Sequence, residues 1–89
     1  MTERDIEIVN RLGLHARAAA KLVHLAGSFQ SRVALVVDGD EVDAKSILGI
    51  LMLGAAQGTR LMVRCEGPDE EEAVQAIAEL FADRFGEGS

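Results

Sequence analysis

Two side chains that suit phosphoryl transfer lie two residues apart in the first fifth of the chain. His15 comes just before a segment with helical periodicity, and Arg17 lies in the first turn of that segment. A helix N-terminus has unpaired N–H groups and a partial positive charge, which attract anions and favour a neutral, nucleophilic imidazole. A guanidinium adds permanently charged donors for phosphate oxygens. The pattern is therefore suited to phosphoryl transfer at His15, with the charge of the group neutralised by Arg17.

A plainer interpretation of these residues stays open, in which His15 is an unusual helix cap and Arg17 a solvated surface residue.

The second histidine, His24, shares a polar helix stripe with Arg17 and Lys21, so we interpret it as an exposed surface residue. The single cysteine, Cys65, alternates with charged neighbours and is expected to be a small buried hydrophobe. One cysteine excludes a Cys-x-x-Cys site, and we predict neither a metal nor a cofactor.

Composition narrows the classes of function. The 89 residues predict one domain, 1–89, and a net charge of −6 with 3% aromatic residues argues against a nucleic-acid binder. The longest run without a polar side chain, 47–56, is too short for membrane insertion, so we expect a cytoplasmic protein.

Residues 8–37 carry four basic side chains, both histidines and no acid. This basic segment of an acidic chain indicates a local anion site or an acidic partner surface.

The hydrophobic pattern predicts the elements that must position these residues. The predicted strands are 6–8, 33–37, 41–43 and 61–66. The predicted helices are 16–26, a short one that Ser46 caps and that runs to about residue 53, and one that opens at the acidic run 69–72. The order βαββαβα is typical of an α+β open-faced sandwich, with three helices covering one face of a four-stranded sheet. Residues 86–89 are predicted to form a loose tail.

The second predicted helix is apolar on every side. A small open sandwich cannot bury all sides of a peripheral helix, so we assign Ile50 and Leu53 to the core. Ile47, Leu48 and Leu51 would then form a solvent-facing patch, which is typical of a partner surface. A helix buried under a loop is the alternative.

Two segments of the chain resemble one known family. Residues 13–19, Gly-Leu-His-Ala-Arg-Ala-Ala, resemble the active-site signature of the histidine-containing phosphocarrier family, HPr. Residues 44–51, Ala-Lys-Ser-Ile-Leu-Gly-Ile-Leu, resemble its serine phosphorylation segment, and the resemblance continues through 56–58 and the acidic start of the last helix. Two motifs in register are more specific than either alone, and together they cover nearly the whole chain. The resemblance implies an antiparallel sheet in the order 1-4-2-3.

The function that the resemblance implies is a phosphoryl shuttle of the phosphoenolpyruvate-dependent phosphotransferase system, rather than a stand-alone enzyme. Enzyme I would phosphorylate His15 on Nδ1, and the carrier would pass the group to a sugar-specific or nitrogen-type IIA protein. Ala16, Arg17 and Ala18 would bind the phosphoryl group, and the apolar patch would dock the partners. Ala18 departs from the family, which usually has proline there, and alanine adds an amide donor. We expect a monomer.

Ser46 has two interpretations. By position it is an N-cap, whereas the resemblance implies regulatory phosphorylation by a serine kinase/phosphorylase.

Two other functions remain open beside the carrier. One is a regulatory binding module of a nitrogen-type branch that acts mainly through partner binding, with His15 incidental. The other is a small hydrolase of the acylphosphatase kind, which needs a catalytic arginine and an asparagine that orients water. The only asparagine of the chain is Asn10, with Arg11 beside it. No phosphate-binding loop surrounds that pair, which disfavours the hydrolase.

Overall fold

The strands and helices follow one another in the order βαββαβα, with a short 3₁₀ turn after the last helix. A computed structural model describes residues 1–88. The elements are β1 (Thr2–Glu7), α1 (Ala16–Gly27), β2 (Arg32–Val37), β3 (Asp40–Asp43), α2 (Ile47–Leu53), β4 (Arg60–Glu66), α3 (Glu70–Ala82) and the 3₁₀ turn Arg84–Gly86. The predicted element order is confirmed.

The four strands form one antiparallel sheet in the order β1-β4-β2-β3. Alternation along β4 sets its two faces, since Leu61, Val63 and Cys65 are buried while Met62 and Arg64 are partly exposed. The helices cover the apolar face and leave the other open, so the predicted open-faced sandwich is confirmed.

The first strand begins four residues earlier than the predicted 6–8. Glu3 lies opposite Arg64 in the register between β1 and β4, and the Arg64 Nε donates to Glu3 Oε2 at 2.7 Å. The strand therefore continues on the N-terminal side of its short apolar segment, where cross-strand ion pairs on the open face stabilise the pairing with β4. Ile8, predicted inside the strand, lies beyond its end and is fully buried.

The core lies between the sheet and the helices. Cys65 is fully buried there, as predicted, and desolvation by burial raises the pKa of its thiol to about 11. The other large apolar side chains of the core are Ile8, Leu14, Leu22, Val33, Leu35, Ile50, Leu61, Val63, Val74, Ile77, Phe81 and Phe85. Leu80, on α3, is half-buried at the edge of this core.

Within residues 1–88, no helix has the length and apolar character needed to cross a membrane. The same residues contain no group of three or more histidine, cysteine or acidic side chains arranged to hold a metal ion.

Candidate phosphoryl-transfer site

His15 occupies the N-cap of α1. Its backbone is extended (φ −79°, ψ 178°), and its carbonyl accepts from the Ala19 N–H at 2.8 Å, which closes the first turn. The imidazole makes no capping hydrogen bond to the helix. The first-turn amides, those of Ala16, Arg17 and Ala18, therefore lie beside the ring without a partner from it. The Arg17 side chain, in the first turn, is exposed.

A glycine sets the path of the loop that carries His15. Gly13 has φ +67°, and a Cβ built on it would lie 2.6 Å from the Ala55 carbonyl oxygen. The next residue, Leu14, is buried and donates its N–H to that same carbonyl at 2.9 Å. Only glycine accommodates both the left-handed φ and the close approach, so the loop before α1 is fixed against the loop after α2.

A buried asparagine ties the same loop to the C-terminal segment. Asn10 is fully buried, and its Nδ2 donates to the Gly13 carbonyl at 2.8 Å and to Glu87 Oε1 at 3.0 Å. Its Oδ1 has no hydrogen-bond partner among the described residues. An unpaired buried carbonyl is costly, so the position holds asparagine for its two N–H donors.

The second carboxylate oxygen of Glu87 contacts the Nε2 of His15. The Glu87 side chain is 13% exposed and the His15 side chain is 26% exposed. Desolvation acts to raise the pKa of Glu87, but hydrogen bonds from Asn10 and His15, together with the charges of His15 and Arg17, outweigh it and lower that pKa. The site therefore holds an ionised carboxylate beside the imidazole.

The segment after α3 brings Glu87 to this position, so the predicted loose tail is wrong for Gly86 and Glu87. Arg84 and Phe85 both have left-handed backbones, with φ of 55° and 56°. The chain turns there, and the Phe85 ring enters the core. Ser89, also assigned to the tail, lies outside the described residues.

On α2, the side chain of Ser46 caps the helix, since its Oγ accepts from the Gly49 N–H at 3.2 Å. Ile50 is fully buried and Leu53 half-buried, which confirms the predicted core side. The exposed apolar side chains of the helix, here called the α2 patch, are Ile47, Leu48, Leu51 and Met52. Met52, 77% exposed, was not among the predicted patch residues.

Comparison with known proteins decides the family. Residues 2–83 match the family described as "PTS HPr component phosphorylation site". The chain belongs to the HPr family. It is 53% identical to the phosphocarrier protein HPr of Cupriavidus necator over 88 residues, which covers 99% of both chains. As a member of the HPr family, it is a phosphocarrier of the phosphotransferase system.

Solved HPr structures share the fold. The crystal structure of HPr-C-His from Thermoanaerobacter tengcongensis has a TM-score of 0.97 and 46% identity, with all of both chains covered. An HPr dimer from the same organism has a TM-score of 0.79 and 47% identity over 98% of this chain and 100% of that one. The HPr fold thus occurs in a dimeric crystal form as well.

The structure brings the contiguous predicted site residues together and adds contacts from distant parts of the chain. His15, Ala16, Arg17 and Ala18 lie together at the start of α1, and α1 packs against α2, which carries Ser46 and the α2 patch. His24 is exposed, as predicted. Asn10 and Glu87 were not assigned to the site, because nothing in the sequence indicates that they meet across 77 positions.

Proposed function

We propose that this HPr chain accepts a phosphoryl group from phospho-enzyme I on Nδ1 of His15, in the cytoplasm, and passes it to a IIA protein. The observation that carries the proposal is the N-cap geometry of α1. The His15 ring lies at the positive end of a twelve-residue helix yet makes no hydrogen bond to it. The first-turn amides are therefore available to bind an anion, and the ring is available to accept a phosphoryl group.

The chemistry requires positioning and charge neutralisation more than it requires bond activation. Phosphoryl transfer passes through a loose transition state in which negative charge is spread over the equatorial oxygens. The amides of Ala16, Arg17 and Ala18 and the Arg17 guanidinium would bind those oxygens. Ala18 contributes an N–H that proline would lack, and its side chain is fully buried beneath the turn.

Docking would use the α2 patch. Leu48 is 67% exposed and Ile47 and Leu51 are also exposed, although each is a residue type usually found in a core. Leu14, just before α1, donates to the carbonyl of Ala55, just after α2, so a partner seated on the patch would lie near the start of α1. Enzyme I and the sugar-specific or nitrogen-type IIA protein would bind this surface in turn, and we expect the monomer to be the form that presents it.

Ser46 would regulate that docking. A phosphate on a helix N-cap is stabilised by the N-terminal amides and dipole, so a serine kinase could modify Ser46 without unfolding α2, and a phosphorylase could reverse the change. The phosphate would place about two negative charges beside Ile47 and Leu48. A partner covering the patch would then meet a charge that it cannot pair, which weakens docking.

The test of the carrier role is incubation with phosphoenolpyruvate and enzyme I, followed by intact mass and peptide mapping. The expected product has one phosphoryl group that survives base and is lost in acid, located in the peptide that contains His15. A sample without enzyme I is the control and should stay unmodified. No adduct in the complete mixture would reject the carrier and leave the regulatory binding module.

A further inference from the structure

We propose that Glu87 is a positioning residue for phosphoryl transfer, which holds the His15 proton on Nε2 and so leaves the lone pair on Nδ1. This inference rests on the proposed role of His15. It assigns a function to a side chain that lies 72 positions away in sequence and outside the matched residues 2–83.

The first support is the set of contacts on the carboxylate. One oxygen contacts His15 Nε2, and the other accepts from Asn10 Nδ2 at 3.0 Å. Asn10 is fully buried and also donates to the Gly13 carbonyl at 2.8 Å, so it is fixed to the loop that carries the histidine. Glu87 is thus oriented from one side by a buried donor and presents its remaining oxygen to the ring.

The second support is the backbone that delivers Glu87. Two successive non-glycine residues, Arg84 and Phe85, have left-handed φ, a conformation that persists only where the surroundings enforce it. The Phe85 ring is buried against Phe81, with centroids 4.9 Å apart, and the Phe85 carbonyl accepts from Lys21 Nζ at 2.6 Å. These contacts with α1 and α3 hold the turn that places Glu87 against the imidazole.

The consequence for transfer follows from the chemistry of imidazole. In a neutral ring one nitrogen carries the proton and the other the lone pair, and the partner of the protonated nitrogen selects the tautomer. An ionised carboxylate only accepts, so it favours N–H at Nε2. The Nδ1 lone pair then forms the bond to phosphorus while the donor's bond to phosphorus breaks, and its electron pair stays with the donor.

The proton on Nε2 does not move in this step, so the phosphorylated ring becomes cationic. Glu87 supplies the opposite charge at the nitrogen that keeps the proton. The carboxylate therefore acts on both states of the carrier, by selecting the tautomer before transfer and by stabilising the ring cation after it.

The experiment compares ¹⁵N chemical shifts of the histidine rings in the unphosphorylated protein, at a pH where both rings are neutral. Wild-type His15 should show a fully protonated Nε2 and an unprotonated Nδ1. In Glu87→Ala both shifts should move toward those of His24, whose exposed ring in the same sample is the reference for an unconstrained imidazole. Glu87→Gln, which keeps an acceptor oxygen without the charge, should fall between them.

Phosphorylation by enzyme I supplies the second readout. Glu87→Ala should react about three- to tenfold more slowly, the range expected for loss of one partly exposed charge-assisted hydrogen bond. Its melting temperature should fall moderately, because the buried Asn10 Nδ2 loses one acceptor, so the rates are compared well below the melting temperature of both proteins. Glu71→Ala, which removes an exposed acid from α3, should match wild type in both readouts.

Ring shifts and rates of Glu87→Ala that equal those of wild type would overturn the inference. The ring shifts are measured without any phosphoryl donor, so they test the positioning of His15 even if enzyme I fails to phosphorylate the wild-type chain. That second failure would reject the proposed function instead.

Discussion

The first two helices begin with residues in the same structural position that use their side chains in opposite ways. At the start of α2, Ser46 turns its Oγ inward and accepts from the Gly49 N–H at 3.2 Å. At the start of α1, the His15 backbone is equally extended, but its ring makes no bond to the helix and contacts Glu87 instead.

This difference distinguishes the N-terminus of α2, where the cap stabilises the helix, from that of α1, where we propose that phosphoryl transfer takes place. The Ser46 hydroxyl satisfies an N-terminal amide, so its resting role is structural. The His15 ring makes no hydrogen bond to the first-turn amides of α1, which are the groups that would bind an anion under the proposed function. The comparison predicts that changes at His15 alter transfer without unfolding, whereas changes at Ser46 act on the helix and on docking.

Replacing the ring should have the largest effect. His15→Ala should abolish phosphoryl acceptance from enzyme I, because no other nucleophile lies at the start of α1. The variant should stay folded, since the ring makes no capping hydrogen bond, and should lose a modest amount of thermal stability because the Glu87 carboxylate loses a partner. His24→Ala, which removes an exposed histidine from the same helix, is the control and should be phosphorylated normally. Full phosphorylation of His15→Ala would eliminate His15 as the acceptor.

Removing the guanidinium should slow transfer without stopping it. Arg17→Ala should reduce the rate of phosphorylation about ten- to a hundredfold, because one charged donor for the equatorial oxygens is lost while the amides remain. Arg60→Ala, which removes an exposed arginine from β4, should leave the rate unchanged. Stopped-flow or quench measurements with phospho-enzyme I decide the matter, and equal rates for the two variants would exclude Arg17 from the site.

A charge in the α2 patch should weaken docking. Leu48→Glu should raise the enzyme I concentration needed for half-maximal rate about tenfold, the effect of losing an apolar contact in a partner interface. Folding stability should change by no more than about 0.5 kcal/mol, because Leu48 is already in solvent. Gln75→Glu adds the same charge on exposed α3 and should dock normally. Unfolding of Leu48→Glu would show that the side chain belongs to the core.

The smallest effect is expected at Ser46. Ser46→Asp should slow the enzyme I reaction about three- to tenfold, since the carboxylate is a weaker mimic of phosphate beside the patch. Its melting temperature should equal or slightly exceed that of wild type, because aspartate also caps helices. Ser46→Asn caps without charge and is the matched control. If Ser46→Asp and Ser46→Asn react equally fast, Ser46 is a cap and not an inhibitory switch.

Local patterns accounted for the features of the fold that depend on neighbouring residues. Alternation along 61–66 gave a strand with Cys65 inward, and the all-apolar helix at 47–53 was correctly divided between Ile50 in the core and Leu48 in solvent. The start of β1 was missed because its residues extend the sheet through an ion pair to β4, and not through apolar alternation.

The contacts that Glu87 and Asn10 make beside His15 were not predictable by the same means. Glu87 reaches His15 only because Phe85 enters the core and two residues adopt left-handed φ, and neither feature leaves a local signal in the segment Arg-Phe-Gly-Glu. The sequence suggests a role for Asn10 only in a hydrolase. In the structure its buried side chain donates to both Gly13 and Glu87, and so connects the loop before α1 to the C-terminal segment.

³¹P–¹⁵N coupling in the phosphorylated chain shows directly whether His15 Nδ1 receives the phosphoryl group. The chain would be labelled with ¹⁵N in its histidine rings and phosphorylated with phosphoenolpyruvate and enzyme I. We predict phosphorus coupled to Nδ1 of His15, with the His24 ring unchanged. Coupling to Nε2 of His15 or to either nitrogen of His24, or a phosphate ester on Ser46, would contradict it.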